Sequence, residues 1–279
     1  MSHYRTILMH LPDERRADQV LGVGERLAAS HDAHLIGLFL MPSDIYSPAF
    51  SAARGLMEAG KKALRARAQH IADRFEAAGA GLQLKKEWRF IEPGARSGTE
   101  VLLSHVRSAD LVIVPQRQPD WDDSLLLEYP EDIALGSGRP TIMVPNAGTF
   151  TNIGKRITVA WNDRREAARA TFDALPMLKK AESVRLLWIN PEQETAPKGD
   201  LPTAEIAAAL ARHGVRCTCA EVRGSDLLVG DALLNQVGED GTDLLVMGAY
   251  GRSRFRELVF GGATRHILKH MTIPVLLSH

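Results

Sequence analysis

Short apolar runs recur along this chain, separated by longer stretches whose apolar positions follow a helical period. Arg5–His10, His34–Leu40, Ala109–Val114 and Arg139–Pro145 are such runs in the first half; Arg156–Trp161, Val184–Asn190, Thr242–Met247 and Ile273–Leu277 are such runs in the second. Leu244–Met247 has no polar alternation, the pattern of a parallel strand covered on both faces. Between the runs, Leu64, Ala68, Ile71, Phe75 and Ala78 share one helical face, and Gly79 supplies a C-cap. Ile206 and Leu210 do the same before Gly214, as do Leu228, Ala232 and Val237. Strands alternating with such helices predict parallel βαβ units with right-handed crossovers.

The eight runs pair off in order, so the chain carries two copies of one plan. The second strands lie 150 positions apart (34 to 184) and the fourth 133 apart (110 to 243), so the first copy holds about 17 more residues between them. The Pro- and Ser-containing stretch Met41–Gly60 is the expected place for these. A junction rich in turn formers falls at Asn146–Gly154. We therefore expect two α/β domains with open parallel sheets, at residues 1–147 and 155–279.

The densest chemical signal lies in the second copy. The run from Asp243 ends at Gly248, Gly251 follows three residues later, and Gly261 and Gly262 precede Ala263–Leu268, which reads as the first turns of a helix. Glycines there let a backbone turn sharply or let a ligand approach closely. A strand, a glycine loop and a helix N-terminus together can cradle an anion with free N–H groups and the helix dipole.

The spacing G-x2-G-x9-G resembles the nucleotide-binding signature of the universal stress protein family, and Lys269–Leu277 resembles that family's last helix and strand. The resemblance covers both halves. It implies five strands per half in the order 3-2-1-4-5, an adenine nucleotide alpha hydrolase-like fold, and a bound ATP or related adenine nucleotide, with or without Mg²⁺. It also implies a stress-response module that binds or regulates, with slow ATP hydrolysis or loss of nucleotide binding as alternatives. By the same resemblance Gly248 and Gly251 approach ribose and phosphate, and Gly261 is the family's third glycine. Two positions depart from the pattern. Asn162 falls where the family has Asp, and Gly262 where it has a phosphate-touching Ser or Thr. Asn162 still offers an acceptor and a donor to a purine or ribose; equally, Asn162 or Asp163 caps the following helix. Loss of one hydrogen bond to a charged oxygen weakens binding by roughly 1.5–3 kcal/mol unless another group replaces it. Thr264 is the nearest replacement, and Arg252 and Arg254 either reach phosphate or remain solvated.

The first copy lacks the signature. Pro115–Trp121 follows its fourth strand without a glycine pair, and proline removes a backbone donor. Asp13 after the first strand reads as a helix cap. This half is expected to be a degenerate partner domain.

Composition narrows the function classes. Lys plus Arg equals Asp plus Glu, 34 each, so no global field attracts nucleic acid or an acidic membrane. No apolar run approaches the ~20 residues of a membrane span, and the N-terminal residues lack a signal-peptide core. Two cysteines build no disulfide framework. The cytoplasm is the expected address. There is no G-x4-G-K-[ST] loop, and neither first strand is followed by a Ser-Gly-Gly-x-Asp-Ser type loop. Gly22 and Gly24 lie inside a helical pattern, not after a strand. Cys217 with Cys219, and His266 with His270, have spacings that a metal can use, but each pair is explained more simply by a strand face and by a helix C-terminus.

Single-domain members of the family often dimerise through their last strands. Thr141–Pro145 and Pro274–Leu277 are therefore expected to meet within one chain as a pseudo-dimer, because an unpaired edge strand is a liability. A further homodimer of whole chains and an unidentified protein partner stay open.

Overall fold

The computed structural model describes residues 3–42, 54–118, 129–189, 203–223, 228–249 and 262–279, with the backbone alone for 54–57. The segment expected to hold the extra residues of the first copy lies largely outside them. The chain forms two compact units, His3–Thr151 and Asn152–His279.

In the first unit β1 (Thr6–His10), α1 (Ala17–His31), β2 (His34–Leu40), α2 (Arg54–Ala77), β3 (Lys86–Ile91), α3 (Gly98–Val106), β4 (Leu111–Pro115), α4 (Pro130–Gly136) and β5 (Thr141–Val144) follow in order. All pairings are parallel, in the order β3-β2-β1-β4-β5. The second unit runs β6 (Arg156–Ala160), α5 (Arg165–Asp173), α6 (Leu175–Leu178), β7 (Ser183–Ile189), α7 (Ala204–Arg212), β8 (Thr218–Val222), α8 (Val229–Glu239), β9 (Leu244–Gly248), α9 (Gly262–His270) and β10 (Val275–Ser278). Its order is β8-β7-β6-β9-β10, again parallel throughout. Each unit thus has the order 3-2-1-4-5, and the expected open parallel α/β fold is present twice.

The central strands carry apolar runs along their middles, the pattern of strands covered on both faces. Ile7–Met9, Leu111–Val114 and Leu244–Val246 are buried. The outer strands β3 and β8 are only half-buried along most of their length, so they admit charged residues: Lys86, Glu87 and Arg89 in β3 and Glu221 in β8.

One carboxylate clamps the same place in each unit. Asp110 accepts hydrogen bonds from the N–H groups of Arg5 (2.8 Å) and Thr6 (2.9 Å), tying the start of β4 to β1. Asp243 accepts from Lys155 (3.1 Å) and Arg156 (3.1 Å), tying β9 to β6. Burial pushes the Asp243 carboxyl up, and these backbone donors pull it back. The aspartate that opens both strand motifs is therefore a fastening of the sheet.

The face read on α2 holds: Ala68, Ile71 and Phe75 are buried, and Gly79 adopts φ +63° at the helix end. Lys86 completes that end by donating from Nζ to the carbonyls of Phe75 (2.7 Å), Glu76 (2.6 Å) and Ala78 (3.0 Å). The face read on α8 is shorter than its period suggests. Ala232 and Val237 are buried, but Leu228 is the N-cap and 70% exposed. Among the described residues no helix is long and apolar enough to cross a membrane.

Candidate functional site

In the second unit the strand order reverses between β6 and β9, so the chain leaves these neighbouring strands toward opposite edges of the sheet. Open α/β sheets form a crevice at such a point, outside the C-terminal ends of the strands. Two of the residues singled out in the sequence come from these two strand ends, Asn162 and Gly248.

After β6, the Trp161 N–H still bonds to the Leu187 carbonyl (2.8 Å), and the chain then turns at once. Asn162 Oδ1 accepts a hydrogen bond from the Arg164 N–H (3.2 Å), and Asp163 takes a left-handed φ of +54° before α5 begins. The turn-forming role of Asn162 is thus real. It occupies only one lone pair, and among the described residues the amide N–H₂ has no hydrogen-bond partner. Both side chains are exposed.

Gly248 has a packing role of its own. A Cβ there would stand 2.5 Å from the Glu166 carbonyl carbon and 2.6 Å from the Ala167 nitrogen, both backbone atoms at the start of α5. The glycine lets the helix cross the strand end closely. Gly248→Ala is expected to lower stability by about 1–3 kcal/mol through overpacking. Urea denaturation of the variant checks this, and an unchanged midpoint would contradict it.

Gly262, Ala263 and Thr264 form the first turn of α9. Gly262 is exposed and Ala263 half-buried, so this turn opens toward solvent at its N-terminus. Thr264 is only 4% exposed. Gly251, Arg252, Arg254 and Gly261 lie outside the described residues.

Two residues at this edge were not singled out in the sequence. Trp161 is buried, and among the described residues its indole N–H has no hydrogen-bond partner. Glu166 in the first turn of α5 is buried with its carboxylate 2.5 Å from Arg165 Nε, and the helix N-terminus favours that charge. The one advance signal was a tryptophan standing directly before the Asn-Asp turn.

The pair His266 and His270 also differs from expectation. The two rings lie 4.6 Å apart, but His266 is not a plain surface residue. Its Nε2 is 2.7 Å from Asp231 Oδ1, and its ring fills the space above Gly230, so it fastens α9 to α8.

Residues 155–279 match the model of the universal stress protein family. They form a universal stress protein domain. A universal stress protein of Synechocystis sp. is 44% identical over 54 residues, which span 18% of this chain and only 19% of that protein. The crystal structure of a universal stress protein from Archaeoglobus fulgidus DSM 4304 superposes on 99% of this chain and covers 96% of its own, at 16% identity and a TM-score of 0.74. A protein of unknown function from Pseudomonas aeruginosa PAO1 superposes on 99% of this chain and 92% of its own, at 15% identity and a TM-score of 0.55. At these identities the structural likeness shows the fold of both units.

The unit that precedes the stress-protein domain has the same switch point, between β1 and β4, and fills it with its own side chains. Asp13 caps the turn into α1 by accepting from the N–H groups of Arg15 (2.9 Å) and Arg16 (3.1 Å). Its other oxygen holds the Arg16 guanidinium, with Nε at 2.8 Å and Nη2 as the second donor. Arg16 Nη1 donates across the strand ends to the Gln116 carbonyl and reaches Asn146 Oδ1 at 3.4 Å. The Arg16 side chain is 3% exposed and that of Asp13 13%. Beside them His10 is buried, and its Nε2 has no hydrogen-bond partner among the described residues. Burial, aided by the Arg16 charge and opposed by Asp13, pushes the His10 imidazole down from its usual 6.5 to about 3.

Proposed function

We propose that the stress-protein domain binds ATP or a related adenine nucleotide, together with Mg²⁺, at the C-terminal ends of β6 and β9, and that it works as a regulatory binding module in a cytoplasmic stress response. The reading rests on one juxtaposition. Gly248, which opens the G-x2-G-x9-G spacing, ends β9 at the switch point next to β6, whose own end runs into the polar turn Asn162–Asp163, and the last glycine of the spacing directly precedes α9, which begins at the exposed Gly262. Asn162 and Asp163 would meet the nucleoside, and the backbone of Gly248, Gly251 and Gly261 would approach ribose and phosphate. The N–H groups of Gly262 and Ala263 would hold phosphate oxygen in place of the missing hydroxyl, with Arg252 as a further cation. The burial of Thr264 makes it a poor substitute for that hydroxyl. The Trp161 N–H, without a partner among the described residues, supports a polar ligand, because a buried donor left unpaired costs about 1–3 kcal/mol and an acceptor on the ligand offsets it.

Isothermal titration of the full chain with ATP and Mg²⁺ tests the proposal. We expect a saturable heat at protein concentrations of about 100 µM, where weak sites fill, and its loss in Gly251→Val. No heat from the wild-type chain would overturn it. Any phosphate release should also vanish in Gly251→Val; release that survives comes from another source.

A second reading, a domain without nucleotide that acts through a protein partner or a small apolar ligand, draws on Asn162, Gly262 and the burial of Thr264. Silent titrations would favour it.

A further inference from the structure

At the opposite edge of the stress-protein domain, below the N-terminal ends of β6, β7 and β8, lies a cleft of about 370 Å³. We propose that this cleft binds a small phosphate monoester. It is remote from the switch point along the strands, so it is independent of the nucleotide reading.

The cleft carries more positive than negative charge. Three arginines line the cleft, Arg156, Arg185 and Arg216, against two carboxylates, Glu182 and Asp240, a surplus of one positive charge. Both carboxylates are already engaged. Glu182 pairs with Lys155 at 3.1 Å, and Asp240 pairs with Arg185, whose Nη2 also donates to Gln236 Oε1 at 2.9 Å. Asp243 stands nearby; its oxygens accept from the backbone N–H groups of Lys155 and Arg156, and the Arg156 guanidinium acts on it through its charge without closing an ion pair. The Arg156 guanidinium lies along Gly241, about one van der Waals contact from where a Cβ would be. Among the described residues neither Arg156 nor Arg216 forms an ion pair or a side-chain hydrogen bond, though both face the same cleft.

The remaining walls suit the same ligand. Ser183 and Thr218 are exposed at the cleft and present hydroxyls. Thr158 and Thr242, buried at its floor, satisfy each other across 2.7 Å and need nothing from a ligand. Two planar guanidinium forks with adjacent hydroxyls fit a tetrahedral oxyanion, which each arginine can grip with two parallel bonds. A volume of this size exceeds that of free phosphate and falls within the range of small-molecule sites. A phosphate joined to a small polar body fits best.

Titration of the full chain with ribose 5-phosphate at low salt, followed by amide NMR, provides the test, with ribose and inorganic phosphate in parallel. The expected result is a saturable shift of the Ser183, Arg185 and Thr218 amides by about 10 mM, a weaker response to inorganic phosphate, and none to ribose. The double variant R156Q/R216Q removes no ion pair and should fold; its affinity should fall at least tenfold. Gly251→Val should leave this binding unchanged while abolishing nucleotide binding, so the two sites fail separately. No saturable shift, an equal response to ribose, or an undiminished response in the double variant would each overturn the proposal.

Discussion

Arg16→Ala should lower the stability of the N-terminal unit by about 3–5 kcal/mol, the range for breaking a buried ion pair by removing one partner. The guanidinium ties three strand-end segments together, through Asp13 after β1, Gln116 after β4 and Asn146 after β5. Its removal leaves the Asp13 carboxylate shielded from water and holding only the backbone N–H groups of Arg15 and Arg16. Hydrogen exchange of the β1 amides Ile7–Met9 reads the opening free energy of this unit directly. The double variant Asp13→Asn, Arg16→Met should recover much of the loss, because no charge is then buried. A single-variant loss below about 1 kcal/mol, the scale of an exposed ion pair, would show that the pair is not shielded.

The second large effect comes from pH. The His10 imidazole is neutral in the folded chain down to about pH 3 but takes up a proton near 6.5 when unfolded. Above 6.5 neither state is protonated and His10 has no influence. As pH falls below 6.5 the unfolded state gains a proton that the folded state refuses, so stability is lost progressively down to about 3. One proton corresponds to about 1.4 kcal/mol per pH unit, or roughly 3 kcal/mol between pH 6.5 and 4.5. Glu25, in the same unit, is pushed up by burial and acts in the opposite sense, gaining stability as pH falls. The contribution of His10 is therefore the difference between wild type and His10→Leu. Denaturation at several pH values should show a steep acid loss in wild type and a shallower one in the variant. Parallel slopes would contradict the assignment. Removal of Arg16 should also raise the pKa of His10 in the folded chain, which narrows the window from its acid end and shrinks the loss.

The two predictions concern the feature that was hardest to see in the sequence. Asp13 was legible as a helix cap because the N–H donors it accepts from are local, two and three residues away. Arg16 was not, since its partners lie 100 and 130 positions along the chain and only the sheet brings them together. Apolar runs disclosed the four strands per half that are covered on both faces. They could not disclose β3, whose Lys86, Glu87 and Arg89 are compatible with a half-buried outer strand and break any run. In α8 the apolar period extended past the true start of the helix and captured Leu228.

The strand ends that carry Asn162 and Gly248 were legible in position. Asn162 and Gly248 stand at neighbouring strand ends, where the glycine spacing and the turn formers suggested. What the sequence could not separate was the double duty of these residues. Gly248 is required by the passage of α5, and Asn162 turns the chain, before any ligand is considered. Trp161 and Glu166 escaped notice because a tryptophan and a glutamate carry no motif; their burial at the sheet edge is a tertiary property.

A crystal structure of the full chain grown with saturating ATP and Mg²⁺ tests the central claim most directly. The account predicts nucleotide density beside Trp161, Asn162 and Gly248 in the stress-protein domain, and none at the Arg16-filled crevice of the N-terminal unit. Density in the N-terminal crevice, or an empty C-terminal one, would contradict it.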